Sequence, residues 1–175
     1  GESGNLDFLA LELSSFQLEQ VEHYRPAIAV LTNITTDHLD RYPGIPEYAK
    51  AKARIFENQR GFDWSVVQTE ALAYLESLGV TIPSQTITFS ANYRRADLSF
   101  DGNLIVSSLE DWEGPLLAMH QTQLRGPHNA ENVMAALAVG RVLQLPLEMM
   151  IKSIKSFQAS PHRCEMVGEL NGVRF

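Results

Sequence analysis

Leu11-Glu12-Leu13-Ser14-Ser15-Phe16-Gln17-Leu18-Glu19, with Asn33-Ile34-Thr35-Thr36-Asp37-His38-Leu39-Asp40 further on, decides the reading of this chain. In each stretch, residues able to do chemistry follow directly on a short apolar run. Phe8-Leu9-Ala10-Leu11-Glu12-Leu13 is almost continuously apolar, and so is Ala27-Ile28-Ala29-Val30-Leu31. Such runs mark strands buried on both faces. The two are expected to lie side by side and parallel, each ending in a polar loop. Open α/β sheets bind ligands outside the carboxyl ends of their strands. The order of residues alone therefore makes Glu12 and His38 a candidate metal pair.

Outward from these stretches the pattern stays α/β. Ser14-x-x-Gln17 fits a capping box, so a helix is expected to start there. The loop 32–44 is polar and long for a connection. Pro46 suits the first turn of a helix running to about Asn58. A third strand is expected at 64–67, a helix at 70–78 closed by Gly79, and a fourth strand at 86–89. The pattern then changes. Leu98-Ser99-Phe100 and Leu104-Ile105-Val106 flank Asp101-Gly102-Asn103, a hairpin signal, and residues 116–119 extend it. Helices are expected at 129–143 and from Pro146 to about Phe157. Ala159-Ser160-Pro161 reads as a linker, and residues 164–175 as a further hairpin around Asn171-Gly172. The expected fold class is α/β: a mostly parallel sheet flanked by helices, with a small antiparallel subsheet.

Bulk properties agree. The chain has 175 residues, 45% hydrophobic and 20% charged, an ordinary globular composition with enough length for one sizeable core. A net charge of −7 disfavours a nucleic-acid partner. No apolar run approaches membrane-spanning length. The single Cys164 rules out an intramolecular disulfide framework and fits a reducing compartment. The polar start, Gly1 to Asn5, followed at once by an apolar run, reads as the start of a fragment.

Several residues invite a chemical reading beside a plain one. Glu12 is either a boundary carboxylate or a metal ligand. Asp37-His38-x-Asp40-Arg41 is either a solvated turn or, with its imidazole and carboxylates, a divalent-cation loop. Magnesium prefers oxygen, so a histidine ligand implies manganese tolerance or a softer second site. On the helix after Pro46, positions 48, 51, 52, 55 and 56 share one face. They are Tyr48, Ala51, Lys52, Ile55 and Phe56, with Lys52 the lone charge, while Lys50 and Arg54 point to solvent. Lys52 either snorkels to the rim or is a buried amine with a lowered pKa, able to take up carbon dioxide as a carbamate. Ser14 and Ser15 read most simply as caps. Asn129, after Gly126-Pro127-His128, is either an N-cap or a nucleotide contact at a helix start. Arg163 is either a surface charge or a phosphate contact from a hinge. His23 and His120 belong to no constellation. No G-x-x-x-x-G-K-[ST] phosphate loop occurs in the chain.

Together, Leu-Glu-Leu-Ser-Ser-Phe-Gln-Leu-Glu at 11–19, Asp-His-Leu-Asp-Arg-Tyr at 37–42, Ala-Lys-Ala-Arg-Ile-Phe-Glu-Asn at 51–58, Gly-Pro-His-Asn-Ala-Glu-Asn at 126–132 and Pro-His-Arg at 161–163 resemble the Mur ligase family. The resemblance spans essentially the whole chain. Within the family it is most similar to members that join D-glutamate to UDP-N-acetylmuramoyl-L-alanine. It implies a truncated P-loop-type central domain: residues 1–159 as the ATP-binding domain without its N-terminal phosphate loop, and 160–175 as the linker and first hairpin of a C-terminal domain. It implies Glu12, His38 and a carbamylated Lys52 as metal ligands and catalytic groups, with magnesium or manganese. Asn129 and Arg163 would contact ATP, and Ser14, Ser15 and Gln17 would lie beside the substrate. The implied reaction is ATP-dependent amide formation through an acyl phosphate, in a cytoplasmic bacterial enzyme that is monomeric at full length. The fragment alone is expected to be inactive. Three other readings stay open: another ligase of the superfamily, such as a folylpolyglutamate synthase; a metal-dependent phosphoesterase; or a scaffold domain.

Overall fold

The computed structural model describes residues 7–35 and 41–158, and the backbone of two short strands at 169–170 and 173–174. A six-stranded sheet organises the molecule, in the order β1-β2-β3-β4-β5-β6. Its parallel half is built from β1 (Ile28–Leu31), β2 (Trp64–Gln68) and β3 (Gln85–Ser90). Helix α2 (Ile45–Ala53) links β1 to β2, and α3 (Thr69–Ser77) links β2 to β3. Both pack on one face. Ala29, Leu31 and Val67 share a core there with Ala49, Ala53, Ala71 and Leu75. The other face of the same strands, with Val66, Ile87 and Phe89 buried, is covered by α4 (Gly126–Val142) and α5 (Leu147–Ser156). Strands covered on both faces are apolar throughout rather than alternating, and β1 and β2 read that way.

The expected small antiparallel subsheet forms, as a continuation of this same sheet. Strand β4 (Leu98–Asp101) begins beside the end of β3 and runs parallel to it, pairing Leu98 with Phe89 and Ser99 with Ser90. It then turns back through Gly102 into β5 (Leu104–Ser107), and β6 (Gly114–Ala118) closes the edge. Pro115 in β6 lacks an N–H, which an edge strand tolerates. A short antiparallel pair, β7 (Glu169–Leu170) and β8 (Val173–Arg174), matches the hairpin expected there. The expected linker at 159–161 lies outside the described residues.

The expected first strand does not form. Residues 7–13 pair with no strand among the described residues, and Phe8 and Leu9 are 66% and 72% exposed. A buried strand needs a laddered neighbour for its N–H and C=O groups as well as an apolar sequence. Strand β1 pairs only with β2, so the two runs are not adjacent strands. The next element forms nevertheless. Helix α1 (Ser15–Leu18) carries the capping box foreseen for it: Gln17 N donates to Ser14 Oγ at 3.3 Å, and Ser14 N donates to Gln17 Oε1 at 2.9 Å. Helix α3 ends at Gly79, whose φ of +76° only glycine adopts without strain.

Candidate functional site

Two of the candidate residues, Lys52 and Asn129, stand at the carboxyl edge of β1, β2 and β3. Just beyond β1, the backbone oxygen of Asn33 accepts a 2.9 Å hydrogen bond from Lys52 Nζ. Lys52 rides on α2 with its ammonium 5.0 Å from the centre of the Tyr48 ring. The face read from sequence is real. Tyr48, Ala51 and Phe56 are buried, and Lys52 is half-buried among them, although the last turn tightens into a 3₁₀ helix at Arg54–Phe56. Arg54 is a correction. It does not point free into solvent, because its Nε and Nη2 donate to the carbonyls of Leu18 and Val21 at 2.9 and 2.5 Å. A guanidinium fork can serve two carbonyls at the exit of α1 at once.

Above α2 lies an aromatic stack that the sequence did not reveal. Phe16 and Tyr42 are stacked at 6.1 Å, Tyr42 meets Tyr48 at 5.4 Å, and the Arg41 guanidinium lies 4.3 Å over Phe16. Arg41 also pairs with Glu19 at 3.3 Å. The Tyr42 hydroxyl, with Arg41, holds the Glu19 carboxyl below the usual range. Burial, then the neighbouring Glu19, pushes the Tyr42 phenol up. Ser15 is buried in the same place and is not a cap. Ser14 and Gln17 are exposed and bonded to each other.

At the other side of the edge stands the start of α4. The expected N-cap, Asn129, is a turn inside the helix and donates from Nδ2 to Arg125 O at 2.8 Å, while Arg125 is the cap residue. Pro127 brings the start forward, because its fixed φ suits a first turn. Gly126 ahead of it has φ +83°. No side chain caps the first turn, so its N–H groups stay open to a ligand. Two further residues that the sequence reading missed, Gln68 at the end of β2 and Glu131 on α4, join across this edge. Gln68 Nε2 donates to both Glu131 carboxylate oxygens at 3.0 Å. Glu131 stands inside the 126–132 motif, but helical periodicity alone gives it no role there.

Lys52 and Asn129 are thus brought to one edge, while Glu12 sits exposed on the unpaired segment 7–13. Asp37, His38, Asp40 and Arg163 lie outside the described residues. Among the described residues no three His, Cys, Asp or Glu side chains converge as a metal cluster. An ammonium that donates to a carbonyl cannot ligate a cation. The donors described would suit magnesium only with Lys52 as its carbamate, an oxygen anion. No helix among the described residues is long and apolar enough to cross a membrane.

Comparison with known proteins agrees with this architecture. Residues 2–140 match the Mur ligase middle domain. The chain belongs to the Mur ligase family. It is 37% identical over 171 residues to a UDP-N-acetylmuramoylalanine–D-glutamate ligase of Natranaerobius thermophilus, across 97% of this chain and 37% of that protein. It is 39% identical to the ligase of the same name from Geotalea uraniireducens, across 96% of this chain and 37% of that protein. The chain therefore spans a little over a third of the length of these curated relatives. Among solved structures, a UDP-N-acetylmuramoyl-L-alanyl-D-glutamate–2,6-diaminopimelate ligase superposes with a TM-score of 0.63 at 22% identity, over 90% of this chain and 34% of that one. A D-alanyl-D-alanyl-adding ligase from Acinetobacter baumannii gives 0.61 at 19% identity, over 84% and 32%. At these identities the structures speak for the fold: a Mur ligase central domain, with its parallel strands, flanking helices and antiparallel extension.

Proposed function

We propose that this Mur ligase chain is part of a cytoplasmic, full-length-monomeric enzyme that uses ATP to join D-glutamate to UDP-N-acetylmuramoyl-L-alanine in peptidoglycan synthesis. The observation that carries the reading is that the Lys52 amine sits just beyond β1 while the start of α4 is tied to the ends of β2 and β3, on the same carboxyl edge of the parallel sheet. Relatives that bear the D-glutamate ligase name match almost the whole chain.

In this reading the substrate's alanyl carboxylate oxygen bonds to the γ-phosphorus of ATP, and the bond to the leaving ADP breaks. The D-glutamate amine then bonds to the acyl carbon, the carbon–oxygen bond to phosphate breaks, and the amine loses a proton. The open N–H groups of α4 and the Asn129 amide face the nucleotide, with Arg163 reaching it from the far side of the linker. Ser14, Ser15 and Gln17 lie on the substrate side. Glu12, His38 and the Lys52 carbamate would hold magnesium, or manganese in its place, which supplies charge neutralisation on the transferred phosphoryl group. The carbamate forms when the neutral amine bonds to carbon dioxide and releases one proton. Residues 1–159 serve as the ATP-binding domain and 160–175 lead into the domain that presents D-glutamate, so the isolated chain is inactive.

The test is phosphate release by the full-length parent protein, supplied with Mg-ATP, UDP-N-acetylmuramoyl-L-alanine and a panel of amino acids. Release that needs both the UDP substrate and D-glutamate is expected. Release with another amino acid would keep the family and overturn the substrate. Turnover of phosphoesters by this chain without ATP would favour the phosphoesterase.

A further inference from the structure

We propose that Glu131 is a positioning residue for the nucleotide, fixing the first turn of α4, and with it Asn129, against the carboxyl edge of the sheet. The inference rests on the ATP-dependent reading above. The Glu131 carboxylate is partly buried and bridges two strands at once. Gln68 Nε2, at the end of β2, donates to both of its oxygens at 3.0 Å, and Ala91 N, directly after β3, donates to Oε1 at 3.1 Å. Hydrogen bonds to a carboxylate are the strong kind.

The body of α4 does not need this clasp. Ala130, Val133, Met134 and Leu137 are buried beneath it and hold the helix on the sheet. The first turn is different. Gly126, Pro127 and His128 are exposed and overhang that core, and no side chain caps them. Arg125 tethers the entry only locally, through the carbonyls of Met119, Thr122 and Leu124. Glu131, one turn further in, is the side chain of α4 that bonds this end of the helix to the strand ends. The loop after β3 is gripped from the opposite face as well, by Glu70 of α3. Its Oε1 accepts from Ser90 Oγ at 3.0 Å and from Asn92 Nδ2 at 2.9 Å. Ala91 N is therefore a steady anchor, and losing Glu131 should loosen the helix end rather than the loop.

In the full-length protein Glu131→Ala removes the clasp and Gln68→Ala removes its β2 half. Each should raise both the KM for ATP and the Kd of a non-hydrolysable ATP analogue by roughly tenfold, about the weight of one charge-assisted hydrogen bond. The KM values for the UDP substrate and for D-glutamate, and the thermal midpoint, should hold. The double variant should be no worse than Glu131→Ala, because that variant already lacks the Gln68 bond. Unchanged ATP constants in a parent that ligates would overturn the role of Glu131 and leave the ligase reading standing. A fall in thermal midpoint with all three KM values rising together would reduce Glu131 to a structural bond. A parent that neither binds nor uses ATP would overturn both.

Discussion

Two apolar runs with nearly the same sequence signature meet opposite fates. Residues 8–12 are exposed and belong to no strand, whereas 28–31 form a strand with Ala29 and Leu31 only 1% and 5% exposed. The difference is in what surrounds them. Strand β1 is laddered to β2, covered by α2 and α3 on one face and by the α4–α5 layer on the other. Among the described residues, the 7–13 segment has no strand beside it. An apolar run states what a segment would gain by burial, and the neighbours decide whether the gain is realised.

The largest expected effect compares the two runs directly. Leu31→Ala should cost about 2–5 kcal/mol in urea unfolding, and Leu9→Ala should stay within about 0.5 kcal/mol. A Leu9 variant as damaging as the Leu31 one would mean that the first run is packed after all, and the comparison would break. Next comes Gly140→Ala. A Cβ there would collide with Met150 Sδ, where α4 and α5 are in close contact. Pushing the α5 cover away should cost about 1–3 kcal/mol by thermal melting, and wild-type stability would show that the cover yields.

Gln59 sharpens the comparison from the amino end of β1. It is buried, with Nε2 donating to the carbonyls of Pro26 and Trp64 at 3.1 and 2.9 Å. Its Oε1 accepts from Ser65 and Ser84 hydroxyls at 2.7 and 2.9 Å. The first run has no such clamp among the described residues. Gln59→Ala leaves buried polar groups unpaired and should cost about 1–3 kcal/mol in the urea midpoint. A smaller loss is expected at Ser14→Ala, about 1 kcal/mol, read as faster amide exchange at Gln17. Because that cap is local, α1 forms although the run before it does not pair.

The smallest effect is a pH dependence. Glu19 has a lowered folded-state pKa, so its contribution is present above the ordinary carboxylate value and fades as pH falls through the lowered one. Glu19→Gln should flatten that acid-side loss in a melting series against pH, and an unchanged slope would discount the Arg41–Tyr42–Glu19 contact.

Much was legible because it is local. The Ser14–Gln17 box, Gly79 after α3, the Asp101-Gly102 hairpin and the Lys52 face each depend on residues within a turn or two, and short-range geometry allows few alternatives. Gln68 with Glu131, and Phe16 with Tyr42 and Tyr48, depend on elements far apart in the chain. Arg54 shows the same limit: helical periodicity gave its direction and missed the carbonyls of Leu18 and Val21 waiting there.

By itself, then, the amino-acid sequence determined the α/β class, most element positions, the buried stripe around Lys52 and the likeness to the Mur ligases. Those follow from side-chain periodicity, capping chemistry and residue order, which are properties of neighbours along the chain. Only the tertiary structure decided which apolar run became a strand, that β4 continues the parallel sheet, and that Glu131 ties the start of α4 to β2 and β3. Ladder pairing and long-range hydrogen bonds join residues that the chain separates, so no local pattern encodes them.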